Sequence, residues 1–580
     1  MKIAKYIYAA LGAIMVCSCN DFLDTENYTK KTTASFPLTQ NDAVQMITGI
    51  YSTLNNAIDQ PDQTAFYVFD LAGDDRLGGG STSNRNAQSS DRLMNKTTSW
   101  FRDFWTVRYS GIYRANTAIE TMDNVEKWTT NGKREQLLGE AHFLRAFFYF
   151  ELAQLFGEVP LVLETTPQNL PKASADELYA QITSDLLKAI EYMPATAYPN
   201  FELGHVTKWA AEALLAREFL FYTGFYGKTS LPTNEGAAIE KSDVIKYIED
   251  CINNSGHSLL PDQRSLWPYT NQYTSAKYKY MEGVNAEWAG DNNQEVLFSL
   301  NFSNVTVFSN KNDVGYTRSA GYSNRIVEYF GLRKAGKVES FPFVPTGYSN
   351  GPVSSNLWND WAADPDYAGD YRREGSICDL NAELPNYAGD PAKEVECTRL
   401  FAKKYAGCGV IDEDSTLYQT YSYFYGGQND KQLGLTQSII YIRFADVLLM
   451  HSELTSTADG MNKVRERAKL PAIAYSLEAL KKERRYELCF EALRWNDLRR
   501  WGDAAVIVTN QTGQAITNRG KEDKYTFDPN FDFMQRYEAT KGGFWKIPEA
   551  EVTLSNGVLE QNEGWKDEDG EWTKLPYSTI

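Results

Sequence analysis

Apolar residues recur three and four positions apart through most of residues 40–260, the spacing of one helix face. Val44, Met46, Ile47, Ile50 and Leu54 predict a helix over 42–54, and the same pattern continues over 112–125. Residues 137–156 (LLGEAHFLRAFFYFELAQLF) predict a long aromatic-rich helix, stopped by Gly157 and Pro160. Ser174 followed three residues later by Glu177 is a capping box, in which each side chain satisfies the other residue's backbone N–H. Leu178, Ile182, Leu186 and Ile190 then share one face. A further helix over 207–222 carries Ala210, Ala213 and Ala216 where a neighbour packs closely, so 179–193 and 209–222 read as an antiparallel pair. Repeated pairs of this size suggest a tetratricopeptide-like array, although no strict 34-residue register is kept.

Over 261–436 the periodicity fades. The stretch is rich in Gly, Asn, Asp, Tyr and Trp, with one strand expected over 295–302 (EVLFSLNF). A segment this long is not a bare loop inside a compact domain, and excursions from a rigid scaffold are where function concentrates. Helical patterning returns over 438–454, 461–470 and 477–501, and the last forty residues read as an ordered, non-helical tail.

Composition narrows the function. The 580 residues carry a net charge of −18, which argues against nucleic acid and against docking on anionic lipid through a basic patch. Thirty-six Tyr, 29 Phe and 13 Trp exceed what a core alone calls for and suit flat ligand surfaces, where a ring packs on C–H groups while its polar tip stays wet. The basic, aromatic stretch 483–501 reads as a packed helix, with Glu487–Arg484 and Glu491–Arg494 paired across turns.

At the N-terminus, Lys2 and Lys5 precede an apolar run over 7–16, then Val16-Cys17-Ser18-Cys19: the charge, apolar, small-residue order of an export signal, too short to span a bilayer. The ending resembles a bacterial lipobox, which makes Cys19 the expected acylated N-terminus. Losing residues 1–18 removes two lysines and takes the charge from −18 to −20. Cys251, Cys378, Cys397, Cys408 and Cys489 remain; a disulfide among Cys378, Cys397 and Cys408 is left open.

Chemical motifs are scarce. Residues 331–338 imitate a phosphate-binding loop, but Val338 stands where a magnesium-holding hydroxyl is needed. Four scattered histidines offer no H-E-x-x-H, and there is no G-x-S-x-G elbow. No catalytic residue, metal site or cofactor is expected. A flat, amphipathic ligand needs exposed rings with Asp, Asn or Arg beside them. Three segments qualify: Asp74, Asp75 and Arg76 with Trp100; Trp267, Tyr269, Tyr273 and Trp288; and Tyr316, Tyr322, Asn324, Trp358 and Trp361.

Taken in order, the segments resemble one family. Cys19-Asn20-Asp21-Phe22-Leu23-Asp24, the run Ile112-Tyr113-Arg114-Ala115-Asn116 and the run Gly139-Glu140-Ala141-His142-Phe143-Leu144-Arg145-Ala146 through Phe156-Gly157-Glu158-Val159-Pro160 are similar to SusD/RagB-like outer-membrane lipoproteins of Bacteroidetes. So are Arg443-Phe444-Ala445-Asp446-Val447-Leu448-Leu449-Met450, Asn462 to Ala468, Glu483 to Arg500, and Trp545-Lys546-Ile547-Pro548 with Gln561-Asn562. No proline follows the start motif, and Glu563 stands where proline is usual.

The resemblance implies a mostly α fold of about four tetratricopeptide-like helix pairs supporting a large irregular, loop-rich region with a few short strands. The expected organisation is a signal peptide over 1–18, a lipidated tether over 19–40 and one domain over 41–580. Within that domain the scaffold lies mainly in 41–260 and 437–505, the ligand region in 261–436 and the tail in 506–580. It further implies a cell-surface, lipid-anchored protein that captures oligosaccharide or polysaccharide and passes it to a SusC-like TonB-dependent transporter. Peptides or another nutrient in the same role, a surface glycoside hydrolase and a helical scaffold that binds protein are the competing readings.

Overall fold

The computed structural model describes residues 36–56, 61–82, 85–95, 97, 99–302, 324–334, 340–343, 347–411, 417–419, 435–527 and 532–565. It is mostly helical, with five two-stranded sheets among the described residues. Cys19, Tyr316 and Tyr322 lie outside the described residues.

The scaffold is a run of helices, each packed on the next: α1 (Gln40–Asn56), α2 (Arg102–Thr121), α3 (Lys133–Phe156), α4 (Ala175–Tyr192), α5 (Lys208–Tyr226) and α6 (Lys241–Asn254). Helix α3 is its axis. Leu137, Phe143, Leu144, Phe148, Leu152 and Leu155 are fully buried, and so is Glu140. A carboxylate in such surroundings must be partnered, and it accepts from Tyr51 Oη at 2.9 Å and pairs with His205 at 2.8 Å. Further along, Arg145 binds Asp185 at 2.7 Å and Glu151 binds Arg108 at 2.6 Å, so each polar position on α3 ties a different neighbour to it. Gly111 lets α2 close on α3: a Cβ there would sit 2.5 Å from Phe148 and 2.6 Å from Thr53. The capping box forms as expected, Glu177 N donating to Ser174 Oγ at 3.3 Å and Ser174 N to Glu177 Oε2 at 2.9 Å.

Two expected helices are different elements. Residues 438–443 are not the first turns of a helix. Ile439–Arg443 form a strand, β2, antiparallel to β1 (Val296–Leu300), with Val296 opposite Arg443 and Leu300 opposite Ile439. Three β-branched residues and a tyrosine in five positions favour the pleat, and the helix α7 (Phe444–Thr455) starts where they end. The stretch 477–501 is two helices, α9 (Leu477–Leu488) and α10 (Arg494–Trp501), with the short helix α8 (Asp459–Arg467) before them. Phe490 and Ala492 hold positive φ, 65° and 60°, and break the turn between them.

The expected pairing across helix turns is also overturned. Glu487 is bound by Arg372 at 2.8 Å, Arg443 at 2.6 Å and Arg467; Glu491 by Lys404 and Arg443, both at 2.7 Å; Arg484 by Asp446 at 2.7 Å; Arg494 by Asp74 at 2.6 Å. All but the half-buried Arg494 are buried, so their partners come from whichever element covers them, whereas i,i+3 pairing belongs to a solvated face.

The described part of the tail, residues 541–565, contains a short helix, Glu549–Leu554, where none was expected. It finishes α3: Trp545 N donates to Leu155 O at 2.8 Å and Asn562 Nδ2 to Phe156 O at 2.7 Å, satisfying carbonyls that a helix end leaves open. The five described cysteines are free. Cys378 faces Phe401 across a strand pair, Cys397 bridges to Thr517 and Cys408 to Phe343, so the three occupy separate neighbourhoods and the disulfide left open by the sequence is not formed.

Candidate functional site

The loop-rich face is built from residues 61–101 laid against 324–411. Isolated β-bridges join Arg76 to Val353, Gly79 to Asn350 and Ser81 to Glu394. Most sequence candidates are the internal fastenings of this face. Arg76 binds Asp70 at 2.6 Å, donates to Gly351 O at 2.7 Å and lies between the rings of Phe330 and Phe490, 4.2 and 4.6 Å from its guanidinium carbon. Asp75 pairs with Arg485 at 2.7 Å, and Asp74 with Arg494.

Trp100 is buried, stacked on Phe101 at 4.4 Å, its indole N–H donated to Asp62 O at 3.2 Å. Trp267 and Tyr269 are 0% exposed; Tyr269 donates to Gly375 O at 2.6 Å. Trp361 is closed between Tyr486, stacked at 4.5 Å, and Asp370, which takes its N–H at 3.1 Å. A ring enclosed on both faces has none to offer a ligand, so Trp100, Trp267, Tyr269 and Trp361 are corrected to core positions, and Asp75 and Arg76 to structural ion pairs. Asn324 is likewise structural: it caps a helix, accepting from Ile326 N at 3.1 Å and donating to Gln437 O at 2.8 Å.

Three candidates keep an accessible face. Tyr273 is 40% exposed, and Trp288 and Trp358 are half-buried, the latter under Arg373 at 4.2 Å. They stand on separate segments of the chain.

What Asn324 launches is more informative. The short helix Arg325–Phe330 sets Arg325, Glu328 and Tyr329 on one side, three and four residues apart. Tyr329 meets Tyr348 edge to face, with centroids 5.2 Å apart at 75°, and both rings are half-buried, making an L-shaped aromatic corner. Arg325 lies 5.7 Å over Tyr329 and binds the buried Glu328 at 3.2 Å. Tyr67 backs the corner, 5.9 Å from Tyr329 at 89°, its hydroxyl accepting from Asn350 Nδ2 at 2.8 Å. Asp62, in the 3-10 turn Pro61–Gln63, takes the amide of Asn86.

Burial, then the Asp62 charge, push the Tyr329 phenol up; burial, then Glu328, push up Tyr348. Both stay protonated donors across the physiological range. The corner brings together two tyrosine rings at 75° and two phenol O–H groups, with the Arg325 guanidinium over Tyr329 and the Asp62 charge acting on it. That set suits a ligand whose rings alternate C–H faces with hydroxyls. Sequence reasoning missed it although its signal was present: an Asn cap followed by Arg, Glu and Tyr at i, i+3 and i+4.

No group of three or more His, Cys, Asp or Glu side chains fit to hold a metal ion is found among the described residues, nor is any helix there long and apolar enough to cross a membrane.

Known proteins match this chain along most of its length. A family model described as starch-binding associating with outer membrane matches residues 21–220, and one described as the SusD family matches residues 358–565. SusD-like protein P25 of Formosa agariphila is 25% identical over 548 residues, which are 88% of this chain and 92% of that protein. Among solved structures, a laminarin binding SusD-like protein aligns with a TM-score of 0.65 at 22% identity, over 91% of this chain and 100% of its own. Surface glycan-binding protein A from Bacteroides thetaiotaomicron, in complex with laminarihexaose, aligns at 0.66 with 19% identity, over 91% and 100%. At these identities the structural likeness carries the fold alone.

Proposed function

The chain belongs to the SusD family of glycan-binding, non-catalytic, outer-membrane-associated proteins, and from that premise we propose that it captures oligosaccharide at the cell surface on the Tyr329–Tyr348 corner. The observation that carries the reading is that corner itself: two half-buried rings at 75°, with Arg325 over Tyr329 and the Asp62 charge felt by its phenol. One sugar ring lies against each tyrosine, and the guanidinium and carboxylate divide the hydroxyls between donor and acceptor. Tyr273, Trp288 and Trp358 serve as outlying contacts for a longer chain.

In this reading acylated Cys19 holds the protein on the outer membrane, since two or more acyl chains anchor stably where one does not. The captured glycan then passes to a SusC-like TonB-dependent transporter. Because two structural relatives are named for laminarin and laminarihexaose, β-glucan is the first ligand to try. Calorimetric titration with laminarihexaose, maltohexaose and mixed-linkage oligosaccharides, with reducing ends assayed in the same samples, tests the proposal. Saturable binding of one of them without new reducing ends is expected. Steady release of reducing ends would instead mark a hydrolase, and binding of peptides alone would reassign the cargo.

A further inference from the structure

A second recess lies on the scaffold, apart from the glycan corner. The end of α5, the end of α10 and the tail around residues 537–544 enclose a cleft of about 750 Å³. Arg499 forms part of its floor. The arginine is buried, with Nε donating to Gly542 O at 2.8 Å and Nη1 to Gln154 O at 2.7 Å and Asn496 Oδ1 at 3.1 Å. Nη2 has no acceptor among the described residues.

The neighbouring arginines set the contrast. Arg484, Arg485, Arg494 and Arg500 each pair with carboxylates: Asp446 and Asp497, Asp75, Asp74, and Glu453 respectively. Arg499 pairs with none among the described residues. Its charge faces rings instead, Phe544 at 4.6 Å and Phe225 at 4.8 Å. Burial without a counter-charge pulls its pKa down, the sign of a cation left uncompensated. A buried guanidinium is held at lower cost when an anion joins it, and in a low-dielectric recess that attraction is only weakly screened. At the mouth, Lys541 is exposed and linked to Glu563 at 3.1 Å, and Lys172 donates to Asn562 at 3.3 Å.

We propose that this cleft is a second ligand site, for a ring-bearing molecule with a single carboxylate or sulfate. The oxyanion settles over the Arg499 floor, steered by Lys541 and Lys172, and a swing of the half-buried Phe225 ring opens Nη2 to it. The ring of the ligand lies against Phe225 and Tyr537, which wall the recess. The volume suits one or two sugar-sized rings. Glu158 and Glu563 on the rim disfavour a polyanion, which limits the site to one negative group.

Titration of the mature protein with phenyl β-D-glucuronide, phenyl sulfate and the neutral phenyl β-D-glucoside tests this. At least one of the two anions is expected to bind saturably, the glucoside at least about tenfold more weakly. Whichever anion binds more tightly identifies the source of the oxyanion. Arg499→Gln and, independently, Lys541→Glu should each weaken the anion about tenfold, while Tyr348→Ala leaves it unchanged. Lys541 is on the surface, so its variant folds even if Arg499→Gln does not. Equal binding of glucoside and glucuronide, no saturable binding of either anion, or anion affinity untouched by Lys541→Glu would overturn the assignment.

Discussion

Helices α3 to α5 and the loop-rich face spend their buried positions differently. On the helices the buried positions are mostly Leu, Phe and Ala, and the few charges there, such as Arg145 and Glu151, each meet one opposite charge. On the face, side chains as polar as Arg372, Lys403 and Lys404 are 1% exposed or less. Lys403 sits 3.5 Å over the Tyr280 ring and 2.9 Å from Glu383. Helix backbone satisfies its own hydrogen bonds, so its side chains are free to be apolar. Irregular backbone does not, and long charged side chains tie its segments to one another and to α9. The lesson is that one fold is held by area in one region and by a lattice of ions in the other.

The most damaging change should therefore fall on the lattice. Glu487 meets three arginines, and although burial works against its ionisation, the charges of Arg467, Arg443 and Arg372 hold its carboxyl well below the usual range. Glu487→Gln should cost about 3–5 kcal/mol in urea unfolding. A loss under about 1 kcal/mol would show that packing alone holds the face. On the helical side, Leu144→Ala should cost about 2–4 kcal/mol by the same measurement, scaled by the cavity it leaves.

Acid should also act on the ion pairs that join helices, such as Asp446 on α7 with Arg217 on α5 and Arg484 on α9. Burial disfavours the Asp446 carboxylate, but Arg484 and Arg217 overcome that and bring its pKa down to about 2. A depressed carboxylate contributes stability above its unfolded pKa and loses it as pH falls through the folded one. Stability should thus decline between roughly pH 4 and pH 2, by about 2 kcal/mol from this group, and Asp446→Asn should flatten that limb of the profile. The smallest effect belongs to a helix end: Ser174→Ala removes the α4 cap and should cost about 1 kcal/mol.

The same contrast explains what could be read in the sequence. The helices of 40–260 were legible because apolar spacing and the Ser174–Glu177 box are local signals. The strand Ile439–Arg443 was misread because a short apolar run looks alike in both periods, and only its partner Val296–Leu300 decides. Glu487 was paired with its sequence neighbour because its real partners, Arg372 and Arg443, are 115 and 44 residues away. Loop aromatics read as ligand contacts, yet Trp267 packs into the main core shared with the helices and Trp361 into a smaller cluster with Tyr486 of α9. The Tyr329–Tyr348 corner joins two segments nineteen residues apart in sequence, which only tertiary contact reveals.

The central claim is that this corner is the glycan-binding surface, and calorimetry on one purified set decides it. Tyr329→Ala and Tyr348→Ala, each with an unchanged unfolding midpoint, should weaken the tightest-binding oligosaccharide by at least about tenfold, near 1.4 kcal/mol, while Tyr273→Ala costs less. Undiminished affinity in both corner variants would contradict the account and move the site elsewhere on the loop-rich face.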